Sequence, residues 1–432
     1  MSFVFVVDQN RKPLDPVHPG RARFLLRAGH AAVLRRYPFT LILKETKPDA
    51  EPQPLRVKLD PGSKTTGVAV VNESTGQVVW AAEMAHRGEQ VQAKLADRRS
   101  QRHGRRARHT RYRPARFNNR TRPKGWLPPS LESRLANTLA WEARLVKWCP
   151  IGAISMELVK FDTQLMQNAE ISSIEYQQGV LKGYEIRQYL LEKWQYACAY
   201  CGAKGASDVP LQVEHLVPKA RHGSDRVSNL VMACQACNDR KGTKTAEEFG
   251  YPDIQAQAKQ PLRDAAAVNS TRWALYERLQ ATRLSVETGT GGRTKWNRTT
   301  RGLPKTHWLD AACVGATTPA ILQVQQVVPL SITAMGRHSR QMCRTNAYGF
   351  PNKAPKATSV VGGFRTGDIV RAIVPAPSIK VGTYVGRIAI RATGKCNIKT
   401  AQATIQGIHV RYCQPLHRAD GYSYTKAKER SA

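Results

Sequence analysis

The chain has 432 residues, room for about three domains, and sets 67 Lys and Arg against 32 Asp and Glu, a formal net charge of +35. A charge that large repels itself in a compact fold, so the partner to expect is a polyanion, nucleic acid first. With 41% hydrophobic residues the chain is not a disordered basic tail. Nine cysteines, an odd number, argue against a secreted disulfide framework: Cys149, Cys313, Cys343, Cys396 and Cys413 are scattered without a pairing pattern. The opening M-S-F-V-F-V-V-D is too short and lacks the basic lead of a signal peptide, and no 18-residue apolar stretch exists to span a membrane. A cytoplasmic, nucleoid-associated protein is expected.

Residues 1–54 read as a small basic module: a strand over 3–7, turns over 8–16, a helix over 21–30 with arginines beside an apolar stripe, a strand around 37–43, and a linker over 48–54. Next, R-V-K-L-D-P-G-S-K-T-T-G-V-A-V-V-N predicts a β-hairpin whose first strand ends on Asp60. Asp before Pro-Gly is on its own a turn former. The D-P-G-x-x-x-x-G turn followed by V-A-V-V looks like the first strand pair of an RNase H-like domain, in which that aspartate anchors a catalytic metal. Residues 87–124 then carry Arg98, Arg99, Arg102, Arg105, Arg106, Arg108, Arg111, Arg113, Arg116, Arg120 and Arg122 with few acids between. The proline-free front half is helix-compatible, so its arginines project all round a rod and can meet duplex phosphates; Pro114 is expected to end it. Residues 130–148 predict an amphipathic helix with Ser130 as N-cap and Leu131, Leu135, Leu139 and Val146 on one face. A buried strand over 151–157 then delivers Glu157 at its end, and 176–194 is another helix candidate.

Residues 198–245 hold two C-x-x-C knuckles, Cys198 with Cys201 and Cys234 with Cys237. Four thiolates in two such pairs suit a closed tetrahedral Zn²⁺ site that holds a small ββα unit together. Between the knuckles lies V-E-H-L-V-P, with Glu214 and His215 on a short strand, and the second knuckle runs into C-N-D-R-K-G. The order His215, Asn229, Asn238 with a trailing K-G resembles the HNH endonuclease motif. The resemblance implies His215 as general base, Asn229 as the brace of the loop, and Glu214 with Asn238 as ligands of one divalent ion. Near-neutral imidazole can take a proton from water at working pH. The family more often has Asp where Glu214 stands. A zinc ribbon that only binds nucleic acid is the plainer alternative.

The surrounding domain resumes at about 262 with a helix to 283, a strand over 284–287 and a polar, Gly-rich basic run to 302. K-T-H-W-L-D then puts His307 and Asp310 one helical turn apart, facing the same way. Asp60, Glu157 and Asp310 form a set in which three carboxylates can hold two Mg²⁺ (or Mn²⁺) ions about a phosphodiester, with His307 assisting proton transfer or orienting water. Residues 320–432 read as strands, among them A-I-L-Q-V-Q-Q-V-V and K-V-G-T-Y-V-G-R-I-A-I-R-A, separated by Gly and Pro turns. Their alternation suggests a small barrel with one face on nucleic acid. Residues 337–344 and the tail beyond Arg418 are expected to order only on nucleic acid.

The split RuvC elements, arginine-rich bridge helix and inserted HNH unit resemble the IscB family, compact transposon-encoded relatives of CRISPR RNA-guided effectors. P-L-D-P at 13–16 stands where that family has P-L-M-P. The expected fold is a multidomain α/β chain: a basic module (1–54), a split RNase H-like (RuvC) domain (55–86, 125–193, 256–319), the bridge helix (87–124), a ββα-metal HNH domain with zinc knuckles (194–255), and a β-barrel-like C-terminal domain (320–432). The resemblance implies a monomeric protein in a ribonucleoprotein with a long structured guide RNA. It also implies that duplex DNA with a short adjacent motif is cut on both strands, the guide-paired one by HNH. A guide-free HNH or resolvase-like nuclease, and a non-catalytic RNA-binding protein of a mobile element, remain alternatives.

Overall fold

A computed structural model of the protein describes residues 2–108, 125–158, 182–205, 209–259, 265–336 and 359–426, with positions 346, 350 and 352. Val4–Val7 (β1), Pro13–Val17 (β2), Ala31–Arg35 (β3) and Thr40–Leu43 (β4) form a sheet of order β2-β1-β4-β3, in which only β1 and β4 run parallel. Helix Pro19–Arg27 (α1) covers it, capped by His18, whose Nδ1 accepts the Gly20 N–H at 3.1 Å. β2 lies where turns were expected: its prolines are tolerated because it is an edge strand, which need not donate every N–H to a ladder.

Leu55–Pro61 (β5), Thr65–Asn72 (β6) and Gln77–Ala85 (β7) follow as an antiparallel meander, so the expected hairpin gains a third strand. Gly88–Ala107 (α2) is the arginine-rich helix, and from Gln92 on its described side chains are exposed. Arg111, Arg113 and Arg116 lie outside the described residues, as does the expected stop at Pro114. Helix Pro129–Trp148 (α3) starts after Pro128, which offers no side-chain cap, so Ser130 lies inside its first turn rather than at the N-cap. Its buried face is Leu135, Trp141, Leu145 and Trp148, because Trp141 stacks on Trp80 of β7 at 5.8 Å, leaving Leu131, Leu139 and Val146 only half-buried. Ile151–Glu157 (β8) pairs parallel with β5.

After Lys182–Lys193 (α4) comes a separate unit. Leu211–His215 (β9) pairs antiparallel with Leu230–Cys234 (β10), and Gln235–Lys241 (α5) follows directly, a ββα arrangement. Its own core runs from Tyr189 and Leu190 of α4 through Leu216 and Met232 to Ile254 and Ala258 of helix Pro252–Lys259 (α6), slightly wider than the 194–255 expected. Helix Ala265–Gln280 (α7) returns the chain to strand Ser285–Gly289 (β11), parallel to β8.

The polar, Gly-rich basic run up to 302 contains a helix, Gly291–Thr300 (α8). It has no apolar stripe to betray it, because its buried residues are Thr294 and Asn297; the Asn297 amide donates to Cys313 O and Gly315 O at 2.8 and 2.9 Å. Helix His307–Ala312 (α9) packs on β6 and β5. Leu330–Ala334 (β12) pairs parallel with β7. Val360–Val361 (β13) and Phe364–Arg365 (β14) make a short ribbon. Ile369–Val374 (β15), Gly382–Ile390 (β16), Lys395–Lys399 (β17), Thr404–His409 (β18) and Cys413–His417 (β19) form an antiparallel sheet of order β18-β17-β16-β15-β19 over its own core. Tyr422–Lys426 (β20) then pairs with β12, completing a seven-stranded sheet of order β11-β8-β5-β6-β7-β12-β20.

That last pairing corrects two expectations. Within the tail past Arg418, Tyr422–Lys426 is a strand of the large sheet, fixed where Tyr422 and Tyr424 pack around Trp141. The C-terminal unit likewise does not begin at 320, since β12 and β20 belong to the large sheet and residues 320–328, read as a strand, form none.

Candidate active sites

Asp60 and Glu157 end up at the same end of the large sheet because β5 and β8 run parallel with Leu59 opposite Met156. Opposite Asp60 on β6 stands Gly67, where a Cβ would fall 1.8 Å from the carbonyl oxygen of His307. Only glycine therefore lets α9 begin against the sheet. Thr306 caps that helix, its hydroxyl accepting the Leu309 N–H at 3.3 Å. His307 Nδ1 comes 3.8 Å from Asp60 Oδ2, and Asp310 Oδ1 lies 2.7 Å from Arg298 Nε of α8. Glu157 Oε1 accepts from Arg272 Nη2 of α7 at 3.3 Å, and Thr294 of α8, whose hydroxyl donates to Thr290 O at 3.2 Å, stands beside this carboxylate. Lys58, on the same strand face as Asp60 and fully buried, donates to Val314 O (2.9 Å) and Thr318 Oγ1 (3.1 Å), tying the segment after α9 to β5.

Crowded carboxylates leave an electrostatic signature. Burial, then the neighbouring Asp60, pushes the Glu157 carboxyl well above its ordinary range, and the same two causes carry Asp310 to about 6. The Asp60 carboxylate raises the proton affinity of His307 against the opposing effect of burial. Concentrated negative charge of this kind is relieved by a hard cation, and oxygen donors suit Mg²⁺ or Mn²⁺. All four residues expected at this site are thus brought together. Arg272, Thr294 and Arg298 escaped the sequence reading; their one signal was Thr294 and Arg298 at a spacing of four just before H-x-x-D.

In the ββα unit the four cysteine sulfurs all lie within 4.8 Å of one another, with Cys201 and Cys234 3.8 Å apart. Tetrahedral Zn–S bonds of about 2.3 Å place sulfurs about 3.8 Å apart, so this set fits zinc. Among the described residues it is the one group of three or more His, Cys, Asp or Glu so closely gathered. Asn229 closes the loop after β9: its Oδ1 accepts from Val217 N–H (2.9 Å) and its amide donates to Val217 O (3.0 Å) and Ser224 O (2.9 Å). Within that loop Gly223 lies so close to Val217 O that a Cβ would meet it at 1.7 Å. The braced loop brings Asp225 to His215, with Oδ1 2.7 Å from Nε2 and 3.1 Å from Lys219 Nζ; these two partners hold the Asp225 carboxyl below its ordinary range.

Glu214 points away from this pair, as neighbours on a strand do. It is buried beneath α5, Oε1 2.7 Å from Lys241 Nζ and Oε2 accepting from Tyr200 OH at 2.9 Å; Lys241, fully buried, also donates to His215 O at 2.8 Å. Both Glu214 oxygens are therefore engaged, contrary to the open ligand expected. Asn238 Nδ2 donates to Gln212 Oε1 at 2.9 Å, which leaves Oδ1 as the amide atom suited to a cation. Asp225 and Lys241 were not singled out in the sequence, although an acid between His215 and Asn229 and the lysine of K-G were there to be read.

On α2, Arg98, Arg99, Arg102 and Arg106 are exposed and Arg105 lies on the same helix, which the exposed Arg108 follows as C-cap residue. No helix among the described residues is long and apolar enough to cross a membrane.

Residues 4–179 match a family model described as RRXRR protein, and residues 198–244 match that of the HNH endonuclease. No curated protein matches the chain. Similar solved structures include Cas9 of Streptococcus thermophilus in complex with the AGAA PAM (13% identity, 61% of this chain and 32% of that one, TM-score 0.23). The same enzyme with the AGGA PAM gives 12%, 61%, 32% and 0.23. The Type II-C Cas9 enzyme from Actinomyces naeslundii gives 18% identity, 47% of this chain, 32% of that one and a TM-score of 0.17. The chain thus spans about a third of the length of those enzymes. Most of its ββα unit thus lies within a match to the HNH endonuclease model, and that match follows one to the RRXRR model.

Proposed function

We propose that the protein is an RNA-guided DNA endonuclease of the IscB kind, with two active sites that each cut one strand of a duplex. The observation that carries this reading is positional. The HNH unit is inserted between β8, which ends on Glu157, and α9, which bears Asp310, while Asp60, Glu157 and Asp310 converge at one sheet end. That convergence supports an RNase H-like, RuvC-type site split by the insertion. The exposed arginines of α2 and the charge of +35 support a long structured guide RNA and its heteroduplex with DNA as partners. The sheet β15–β19 is the proposed reader of a short target-adjacent motif.

In the HNH unit His215 is the general base. With its Nε2 proton directed at Asp225, Nδ1 is the nitrogen left to take a proton from water. Asn229 fixes the loop and hence the imidazole. At the sheet site His307, half-exposed beside Asp60, can hold or pass a proton next to the carboxylates. Asp60, Glu157 and Asp310 in one site, and Asn238 with Glu214 in the other, would hold divalent ions, which would supply positive charge to the attacking and leaving oxygens. For Glu214 to take part, Lys241 must release Oε1. The four cysteines would hold a structural Zn²⁺.

The test begins with the RNA that survives nuclease treatment on protein purified from cells carrying its native locus. One long RNA with a constant scaffold and a separate guide segment is expected; heterogeneous fragments point to a guide-free nuclease. With that RNA and Mg²⁺, His215→Ala and Asp60→Ala are each expected to slow one cut by about 10²–10⁴-fold and leave the opposite strand nicked. Loss of both cuts from either change would sink the two-site reading.

A further inference from the structure

Arg272 is 5% exposed, yet its guanidinium is poorly matched by its surroundings. Nε donates to the carbonyl of Pro61, the residue after Asp60, at 3.1 Å; Nη2 reaches Glu157 Oε1 at a long 3.3 Å; Nη1, also buried, has no partner among the described residues. A buried guanidinium with an idle nitrogen is unfavourable, and an apolar side chain of similar length would serve packing better. What justifies it is its position, with one nitrogen on the end of β5 beside Asp60 and another on Glu157 at the end of β8. Arg298 does the same from α8 for Asp310.

We propose that Arg272 is the resident cation of the carboxylate site, a positioning residue that holds Glu157 beside the end of β5 while no divalent ion is bound and gives way in charge when one is. When all three carboxylates are ionised, two guanidinium groups leave them one net negative charge, so the strands that carry them can assemble without metal. The same guanidinium lowers the affinity of the site for divalent ions, because each ion enters against a fixed positive charge. This deepens the two-metal reading and rests on it only for the ion.

The experiment compares melting temperatures of the full, zinc-loaded chain without and with added Mg²⁺ for wild type, Arg272→Met, Arg272→Lys and the double variant Arg272→Met with Glu157→Gln. Without Mg²⁺, Arg272→Met is expected to melt lower by at least about 5 °C, with Arg272→Lys closer to wild type. Glu157→Gln, by removing the orphaned charge, should restore most of the loss in the double variant. Mg²⁺ should also narrow the gap, and Mn²⁺ should bind Arg272→Met at least about tenfold more tightly than wild type. An equal deficit in all conditions, no rescue by Glu157→Gln, or a variant that folds in neither buffer would overturn the proposal. The Mg²⁺-free melts decide the role of Arg272 by themselves. Failure of the two-metal reading is recognised separately, if Asp60→Asn leaves the number of bound Mn²⁺ ions unchanged.

Discussion

The two candidate sites are built in opposite ways. The HNH unit draws its residues from one continuous stretch, 198 to 241, on two paired strands and the helix that follows, gathered around four sulfurs. The sheet site takes Asp60, Glu157, Arg272, Arg298 and Asp310 from five places along 250 residues of chain, brought together only by the parallel pairing of β5, β8 and β11 and the approach of α9 over Gly67. They share one device. Each buries a carboxylate against a fixed cation, Glu214 on Lys241 and Glu157 on Arg272. A local site can be secured by a metal clasp, whereas a distributed one depends on the register of a sheet.

The sharpest way to break this comparison is to remove the clasp. Structural zinc in small domains contributes on the order of 10–16 kcal/mol, far more than the unit's small core can replace. Chelation followed by return of Mg²⁺ alone, or Cys234→Ser, is expected to abolish cutting by the His215 site while the Asp60 site still nicks, with elemental analysis falling from about one zinc per chain. If both cuts survive, the unit stands without its metal. Next in size is the buried pair in that unit. Lys241→Met strands Glu214 in an apolar setting and is expected to cost about 3–5 kcal/mol in calorimetric unfolding, with Glu214→Gln recovering part of it.

A smaller effect sharpens the electrostatic side. Asp225→Asn removes the charge that faces His215 and is expected to slow the HNH cut by about 10–100-fold while leaving the unit's melting unchanged; a large fall in melting temperature would make Asp225 a fold residue instead. The smallest is a pH trend at the sheet site. A carboxyl held above its ordinary value costs the fold nothing while protonated and destabilises it once ionised. The metal-free chain should therefore lose stability as pH rises from about 4 through the Asp310 value of about 6, with Glu157 extending the loss further upward. The rise in melting temperature on adding Mg²⁺ should accordingly grow from pH 5 to 8. A flat response would mean that the carboxylates are not mutually strained.

This contrast also explains what could be read in the sequence. Knuckle spacing, E-H and C-N-D-R-K-G lie close together, enough to carry the HNH resemblance, which implied Asn229 as a loop brace before its three hydrogen bonds were seen. Asp60, Glu157 and Asp310 were legible because each sits at the end of an apolar run or in a helical H-x-x-D. Arg272 and Arg298 were not, since an arginine in a chain with 67 basic residues carries no signal until the sheet brings it to a carboxylate. α8 was missed for a related reason: its inward face is Thr294 and Asn297, satisfied by hydrogen bonds that no apolar period announces. The partner of Glu214 could not be read, because alternation along β9 fixes which face it takes but not what waits there, and a buried lysine does.

The pairing of β20 with β12 has a consequence for how the chain is made. The strand that finishes the large sheet leaves the ribosome only after the whole β15–β19 sheet, whereas the HNH unit, with short-range contacts and its own core, is complete long before. During that interval β12 offers an unpaired backbone edge, the kind of surface on which chains stick to one another. A nascent chain stalled before Tyr422 would therefore carry a finished HNH unit attached to an unfinished scaffold.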